Sequence, residues 1–335
     1  MLNACQFLFF IFPFLTWILT PMKAFNVVVA LCAGEIVNGM LKWLFVWPRP
    51  FWIEPRVSNK RNTFEMDSSF PSSHAQLTMT FVLVCGFQFG GAAVWASLSI
   101  LAFVTGLCRI YNGVHFVHDV VVGWAVGAAY AVAWNSADPI QNVLQASLIT
   151  RAIFAVAVFL LPPLILELIR RLKPEVRDEQ IYKDWHVNGI DRHAMDGCAP
   201  HLTGAGLFKT IKIQPRTIYK YTLQCSTLTG IGLCGVFLPE ADMLELLGSC
   251  NDLGGGLLRA LFGTSVVILL FLFSFVLVPK LVLKSQVSFL RERGDVVIET
   301  VKYASGLALG LWIPLALHLA PMLGIEPCPI PLPAF

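Results

Sequence analysis

Three short groups of polar and charged residues interrupt an otherwise apolar sequence, and their residue types suit phosphoryl transfer. The groups are Lys42 with Arg49, Ser72 with Ser73 and His74, and Arg109 with His115 and Asp119. Cations neutralise the charge that spreads over the equatorial oxygens of a transferring phosphoryl group. Backbone N–H groups and hydroxyls at a helix start bind phosphate, and imidazoles move protons near neutral pH. The spacing therefore predicts a phosphate-handling site.

The two histidines of these groups are suited to different tasks. His115 and Asp119 are four residues apart, so they share a helix face and the carboxylate can fix the imidazole tautomer. This favours His115 as a nucleophile and His74 as the acid that protonates the leaving oxygen. His118 adjoins Asp119 but points elsewhere on the helix, so we favour His115. A single lysine or arginine at a membrane helix end is usually an anchor, so the prediction depends on the whole constellation.

The composition indicates a polytopic membrane protein. The chain has 335 residues, of which 56% are hydrophobic and 13% charged, against about 25% charged in soluble proteins. Its mean hydropathy is +0.69, and several apolar runs have the length of a membrane span. A net charge of +3 is too small to indicate a nucleic-acid partner. The nine cysteines include no C-x-x-C pair and are expected to be small core residues.

The predicted fold is an all-α bundle of about nine membrane-spanning helices. The predicted spans are residues 4–20, 24–46, 75–89, 92–110, 114–134, 152–169, 221–239, 257–279 and 303–323. Gly90 and Gly91 are expected to form the turn between the third and fourth spans, and Pro162-Pro163 to interrupt the sixth. Gly123 and Gly127 have the small-x-x-x-small spacing of closely packed helices.

The order of the spans predicts that the three polar groups meet. The second span ends at the first group, the third begins at the second group, and the fourth and fifth flank the third group. All these helix ends lie on one side of the membrane if the spans alternate in direction. Glu35 and Asn38 precede Lys42 within the second span, where a buried polar partner for the core is the favoured interpretation.

The motifs resemble those of a known enzyme family. Lys42-x6-Arg49-Pro50, Pro71-Ser72-Ser73-His74 and Cys108-Arg109-x5-His115-x3-Asp119 are similar to the three signature motifs of the type 2 phosphatidic acid phosphatase superfamily. The resemblance covers about residues 30–130. It implies a six-helix catalytic core and a phosphohistidine mechanism that needs neither a metal nor a cofactor.

The resemblance also implies a role for each motif residue. His115 is the nucleophile, His74 the acid and Asp119 the residue that orients His115, while phosphate is held by Lys42, Arg49, Arg109, Ser72 and the backbone of Ser73. Two positions depart from the family pattern, because Ser73 stands in place of glycine and Cys108 in place of serine. A left-handed backbone at Ser73 would cost about 1 kcal/mol, and Cys108 would remove a hydroxyl donor to phosphate.

This resemblance predicts a membrane lipid phosphatase, a phosphoric ester hydrolase acting on a lipid phosphate monoester or diphosphate. Residues 1–140 would form the catalytic core, with motifs at 42–50, 71–74 and 108–119. Residues 141–335 would add transmembrane helices and a hydrophilic loop at about 170–220. The expected partners are the lipid substrate and membrane lipids. A sphingoid-base-phosphate phosphatase of sphingolipid metabolism and a glucose-6-phosphatase-like enzyme both remain open.

Two other functions and the location also remain open at the level of sequence. The chain could be a lipid phosphotransferase, or a non-catalytic family member that acts as a transporter or scaffold. The positive-inside rule predicts that the site faces the cytoplasm. The membrane would be the endoplasmic reticulum or another endomembrane in a eukaryote, and the inner membrane in a bacterium.

Overall fold

The structure is a computed structural model that describes residues 21–54, 56–57, 67–172, 185, 222–237, 253–278, 281–282 and 294–319. Within these ranges the regular structure is entirely helical, which confirms the predicted all-α class. The predicted span at 4–20 and nearly all of the hydrophilic loop at 170–220 lie outside the described residues.

The helices in the described ranges follow the predicted order. They are α1 Pro21–Phe45, α2 Pro50–Ile53, α3 Ser73–Phe89, α4 Ala92–Tyr111, α5 Val117–Ala137, α6 Pro139–Leu144, α7 Leu148–Leu172, α8 Thr222–Phe237, α9 Leu253–Phe271 and α10 Gly294–Leu319. A π-helical turn, Leu272–Leu277, continues α9. Gly90 and Gly91 separate α3 from α4 with φ values of 63° and 87°. Glycine adopts these values without the Cβ clash that other residues incur, and the predicted turn is confirmed.

The prediction that Pro162-Pro163 interrupts the sixth span is wrong. Helix α7 runs from Leu148 to Leu172 through both prolines. Proline removes a backbone donor. In an apolar environment, however, leaving the helix would expose more unsatisfied backbone groups than continuing it does.

Several helices have the dimensions and surface of membrane helices. Phe25–Ile53, Val117–Ala137 and Leu148–Leu172 are long and apolar enough to cross a membrane, and Trp95–Tyr111 and Leu261–Ser274 are shorter apolar helices. Helix α7 exposes large apolar side chains along its length, including Ile149 and Leu172. An outward apolar surface on such long helices is typical of a membrane protein. The total of about nine spans stays a prediction.

The chain divides into two compact units that are not continuous in sequence. One comprises Gly34–Ser136 and Leu161–Tyr221 and contains all three motifs; the other comprises Met1–Ala33, Ala137–Leu160 and Thr222–Phe335. In the second unit, Gly230 of α8 and Gly310 of α10 bring two helix backbones together. The assignment of residues 1–140 to the catalytic core and of 141–335 to additional helices stays a prediction.

In the unit that contains the motifs, the backbones of α3 and α5 pack closely at two glycines of α5. A Cβ atom on Gly123 would lie 2.7 Å from the carbonyl oxygen of Ser72, and one on Gly127 would clash with that of Gln76. Such contacts require glycine, because any side chain would separate the two backbones. The predicted close packing at Gly123 and Gly127 is confirmed, and it places the start of α3 against the first turns of α5.

Candidate active site

The structure brings the three polar groups together. The backbone N–H of Ser72 donates to the carbonyl oxygen of Asp119 over 3.0 Å, which joins the second group to the third. Arg49 Nη1 donates to the carbonyl oxygen of Val114, the residue before His115, over 3.0 Å. This hydrogen bond joins the first group to the third. The convergence expected from the order of the spans is therefore present in the structure.

Arg49 lies at the centre of the cluster and is fully buried. Its Nε donates to the carbonyl oxygen of Asp67 over 2.9 Å, and its Nη2 donates to Asp67 Oδ1 over 2.8 Å. Its Nη1 lies 3.4 Å from His115 Nε2. The rigid guanidinium fork therefore contacts both the His115 side chain and Asp67.

Lys42 is also fully buried, which is costly for an ammonium group unless it is paired. Its Nζ lies 3.2 Å from Asp67 Oδ2 and donates to the carbonyl oxygen of Ser68. Asp67 thus bridges two of the three predicted phosphate-binding cations. Asp67 lies outside the three sequence motifs, and its position three residues before Phe70-Pro71 is the signal in the sequence that could have identified it.

The two ring nitrogens of His115 face different groups. Nδ1 lies 3.3 Å from Ser69 Oγ and 3.4 Å from Asp119 Oδ2, whereas Nε2 faces Arg49. Asp119 Oδ2 also accepts hydrogen bonds from the Ser69 hydroxyl and from the backbone N–H of Phe116, the latter over 2.9 Å. These contacts assign the proton to Nδ1 and a lone pair to Nε2. Ser69 was not predicted, and it completes the support of the ring.

Burial lowers the pKa of His115 well below its usual 6.5, and the positive charges of Arg49, Arg109, Lys42 and His74 lower it further. The same charges that would bind phosphate therefore keep the imidazole neutral at pH 7. A neutral imidazole with an available Nε2 lone pair is the form that attacks an electrophile.

Helix α3 begins at the second group. Ser72 is its N-cap and Ser73 its first residue; both are buried, while His74 is partly exposed. The Ser72 hydroxyl makes no hydrogen bond to any part of the chain that the structure describes. The first N–H groups of a helix have no intrahelical partner, so this hydroxyl and these N–H groups are suited to an anion.

Serine in place of glycine at position 73 causes no backbone strain. Among the described non-glycine residues, Asp138 alone has a positive φ. Ser73 instead has the backbone of a helical residue. The cost of about 1 kcal/mol for a left-handed residue therefore does not apply here.

A buried pair of amide side chains, Asn38 and Gln76, connects α1 to the helix that carries the Pro-Ser-Ser-His turn. Asn38 Nδ2 donates to Gln76 Oε1 over 2.8 Å, and Gln76 Nε2 donates to the carbonyl oxygen of Gly34 over 2.8 Å. Both side chains are fully buried, and Glu35, which also belongs to α1, is 5% exposed. The prediction that Asn38 is a buried polar partner of the core is confirmed, and the pair links α1 to the first turn of α3.

Arg109 and Cys108 point in different directions from the last turn of α4. Arg109 is 3% exposed, and its charge acts on His115. Cys108 is a free, exposed thiol. The Cys108 side chain lies on the outer surface, whereas the predicted phosphate-binding side chains Lys42, Arg49, Ser72, Ser73 and Arg109 are buried. This favours no role in phosphate binding for position 108, and the loss of a donor there stays a prediction.

We therefore expect Cys108→Ser to leave kcat/KM within about twofold of the unsubstituted protein, as for most surface substitutions away from special features. Steady-state kinetics on the two purified proteins measures this. Cys85→Ser, which alters a buried thiol, is the matched comparison for general effects of the exchange. A loss above about tenfold from Cys108→Ser, with normal folding, would place position 108 in the site.

Known proteins are similar to the part of the chain that contains the three motifs. Residues 23–140 match the family model of the PAP2 superfamily. Over 111 residues the chain is 35% identical to bacitracin transport permease protein BcrC of Bacillus licheniformis, a match that covers 32% of this chain and about half, 53%, of that protein. No solved structure matches the chain significantly. The resemblance predicted from the three motifs is thus confirmed, and residues 23–140 are similar to the PAP2 superfamily.

Proposed function

We propose that this protein is a membrane phosphatase that hydrolyses a lipid phosphate monoester or diphosphate through a phosphohistidine. The observation that carries the proposal is the environment of His115. Its Nδ1 faces Asp119 and Ser69, and its Nε2 lies 3.4 Å from the Arg49 guanidinium. A nucleophilic nitrogen beside a cation that binds the transferred group is what phosphoryl transfer to histidine requires.

In the proposed reaction, Lys42, Arg49 and Arg109 neutralise the phosphate, and the Ser72 hydroxyl and the N–H groups at the start of α3 hold its oxygens. His115 Nε2 forms a bond to phosphorus while the bond from phosphorus to the leaving oxygen breaks. His74 gives its proton to that oxygen. His74 then removes a proton from water, the water oxygen attacks the phosphohistidine, and phosphate leaves with His115 restored.

The surroundings of the site support a lipid substrate. The end of α1 and the segment after it expose Phe45 and Trp47, which lie 38% and 44% open to the surface. Both rings contact Phe70, with centroids 5.2 Å and 4.5 Å away, immediately before the Pro-Ser-Ser-His turn. Exposed aromatic side chains beside the Pro-Ser-Ser-His turn fit a substrate whose headgroup is polar and whose tail is apolar.

Phosphate release tests this function. We expect the purified protein to release phosphate from at least one of phosphatidate, a sphingoid-base phosphate and a polyprenyl diphosphate, in preference to glucose 6-phosphate. The activity should persist in EDTA, because the three cations replace a metal. His115→Ala, purified identically, controls for contaminating phosphatases. Loss of activity on chelation with recovery on adding Mg²⁺ would contradict the mechanism.

A transport role is the second candidate, because the relative BcrC is named as a bacitracin transport permease protein. A transporter or scaffold built on this site would bind inorganic phosphate without hydrolysing any lipid of the panel. A lipid phosphotransferase would instead form a phosphorylated acceptor lipid. Analysis of products with and without an added acceptor separates these three functions.

A further inference from the structure

We infer that Asp67 is a positioning residue of the phosphate site, whose carboxylate holds Lys42 and Arg49 in place and competes with phosphate for their charge. The inference rests on the proposed function only in taking these two cations as phosphate ligands. Asp67 belongs to none of the three motifs.

The geometry places one carboxylate between two buried cations. Asp67 Oδ2 lies 3.2 Å from Lys42 Nζ, and Asp67 Oδ1 accepts from Arg49 Nη2 over 2.8 Å. The side chains of the two cations are 0% and 1% exposed, and that of Asp67 is 6% exposed. Each oxygen therefore serves one cation, and the lysine's flexible four-carbon stem is fixed at its charged end.

The loop that carries Asp67 is held by bonds that do not involve its side chain. The backbone N–H of Trp47 donates to Ser68 Oγ over 2.8 Å. The Ser68 hydroxyl donates to the carbonyl oxygen of Trp47 over 3.1 Å, and the N–H of Ser69 donates to that same oxygen over 2.8 Å. Arg49 Nε also binds the main-chain oxygen of Asp67. An exchange of the carboxylate for an amide therefore leaves the loop's anchors intact.

The charge of Asp67 has two opposing effects on phosphate. It orders Lys42 and Arg49 before the substrate binds, which lowers the cost of assembling the transition state. It also repels a phosphate bound to those same cations, in a site where burial strengthens electrostatic interactions. Removing the charge while keeping the shape should therefore strengthen phosphate binding and weaken catalysis.

Asp67→Asn tests this, with binding of inorganic phosphate measured by calorimetry and turnover measured separately. We expect phosphate to bind roughly tenfold more tightly and kcat to fall roughly tenfold. Asp67→Glu keeps the charge and should retain phosphate affinity near that of the unsubstituted protein while lowering kcat. Glu54→Gln is the matched control, because Glu54 pairs with the exposed Arg56 over 2.9 Å, and it should change neither quantity.

The outcomes separate this inference from the proposed function. Weaker or unchanged phosphate binding in Asp67→Asn, with Asp67→Glu behaving alike, would overturn the role of the charge. If the unsubstituted protein binds phosphate but hydrolyses no substrate, the proposed function fails. The tighter binding by Asp67→Asn would still establish the competition. Should Asp67→Asn not fold, a phosphate affinity for Asp67→Glu that departs severalfold from that of the unsubstituted protein would contradict the inference.

Discussion

His115→Ala is expected to abolish turnover, with a fall of at least about 10⁴-fold in kcat, because it removes the lone pair that attacks phosphorus in the proposed mechanism. Incubation with ³²P-labelled substrate followed by acid or base quenching measures the intermediate directly. The unsubstituted protein should carry a phosphate that is labile to acid and stable to base, the chemistry of a phosphoramidate. His115→Ala should carry none.

A second histidine, His118, offers a matched control for His115→Ala. His118 is 50% exposed and its Nε2 lies 3.1 Å from Asp119 Oδ1, so it contacts the same carboxylate as His115. His118→Ala should keep the label and most of the activity. Label that is lost in His118→Ala and kept in His115→Ala would move the nucleophile to position 118.

Arg49→Ala should produce the second largest loss, about 10³-fold in kcat/KM. It removes a cation from the proposed phosphate site and a neighbour from His115 Nε2, and a single preorganised donor of this kind contributes about 10²–10³-fold. Arg49→Lys should restore little, because an ammonium group cannot reach Asp67, Val114 and His115 together as the guanidinium does. Steady-state kinetics on both variants measures the effect.

Arg49→Ala also deprives the buried Asp67 carboxylate of a partner, so part of its effect falls on stability. Breaking a buried ion pair on one side costs about 3–5 kcal/mol, and thermal unfolding in detergent measures this. Arg56→Ala removes an exposed arginine from its pair with Glu54 and should alter neither unfolding nor kinetics. If Arg49→Ala unfolds normally and keeps full activity, Arg49 is not a phosphate ligand.

Most of the helical framework could be predicted from the sequence, because apolar runs of span length and the glycine pairs are local signals. The predicted 75–89 and 92–110 correspond to Ser73–Phe89 and Ala92–Tyr111. The convergence of the three motifs could be predicted because spans that alternate in direction place all the helix ends that carry them on one side of the membrane. Both inferences use only the direction of the chain and the length of a membrane span, and neither requires knowledge of side-chain packing.

The parts that escaped prediction depend on tertiary contacts. Asp67 and Ser69 lie in a segment without periodicity, and their places are set by the bonds between Trp47 and Ser68. The outward direction of Cys108 is a matter of helix rotation, which the packing of α4 decides. Helix α7 continues through Pro162-Pro163 because its surroundings are apolar, although proline usually breaks a helix.

The glycine contacts between α3 and α5 have a consequence for how the proposed site could be adapted to different substrates. Gly123 and Gly127 press one backbone onto the other, and Ser72 is bonded to Asp119 across the same seam. The predicted phosphate-binding turn at the start of α3 and the first turn of α5, which carries Asp119, are therefore fixed against each other. Under the proposed function, we expect selection for a bulkier headgroup to act on Phe70 and on Phe45 and Trp47, whose rings contact it, because exchanges there leave the packed backbones of α3 and α5 unchanged.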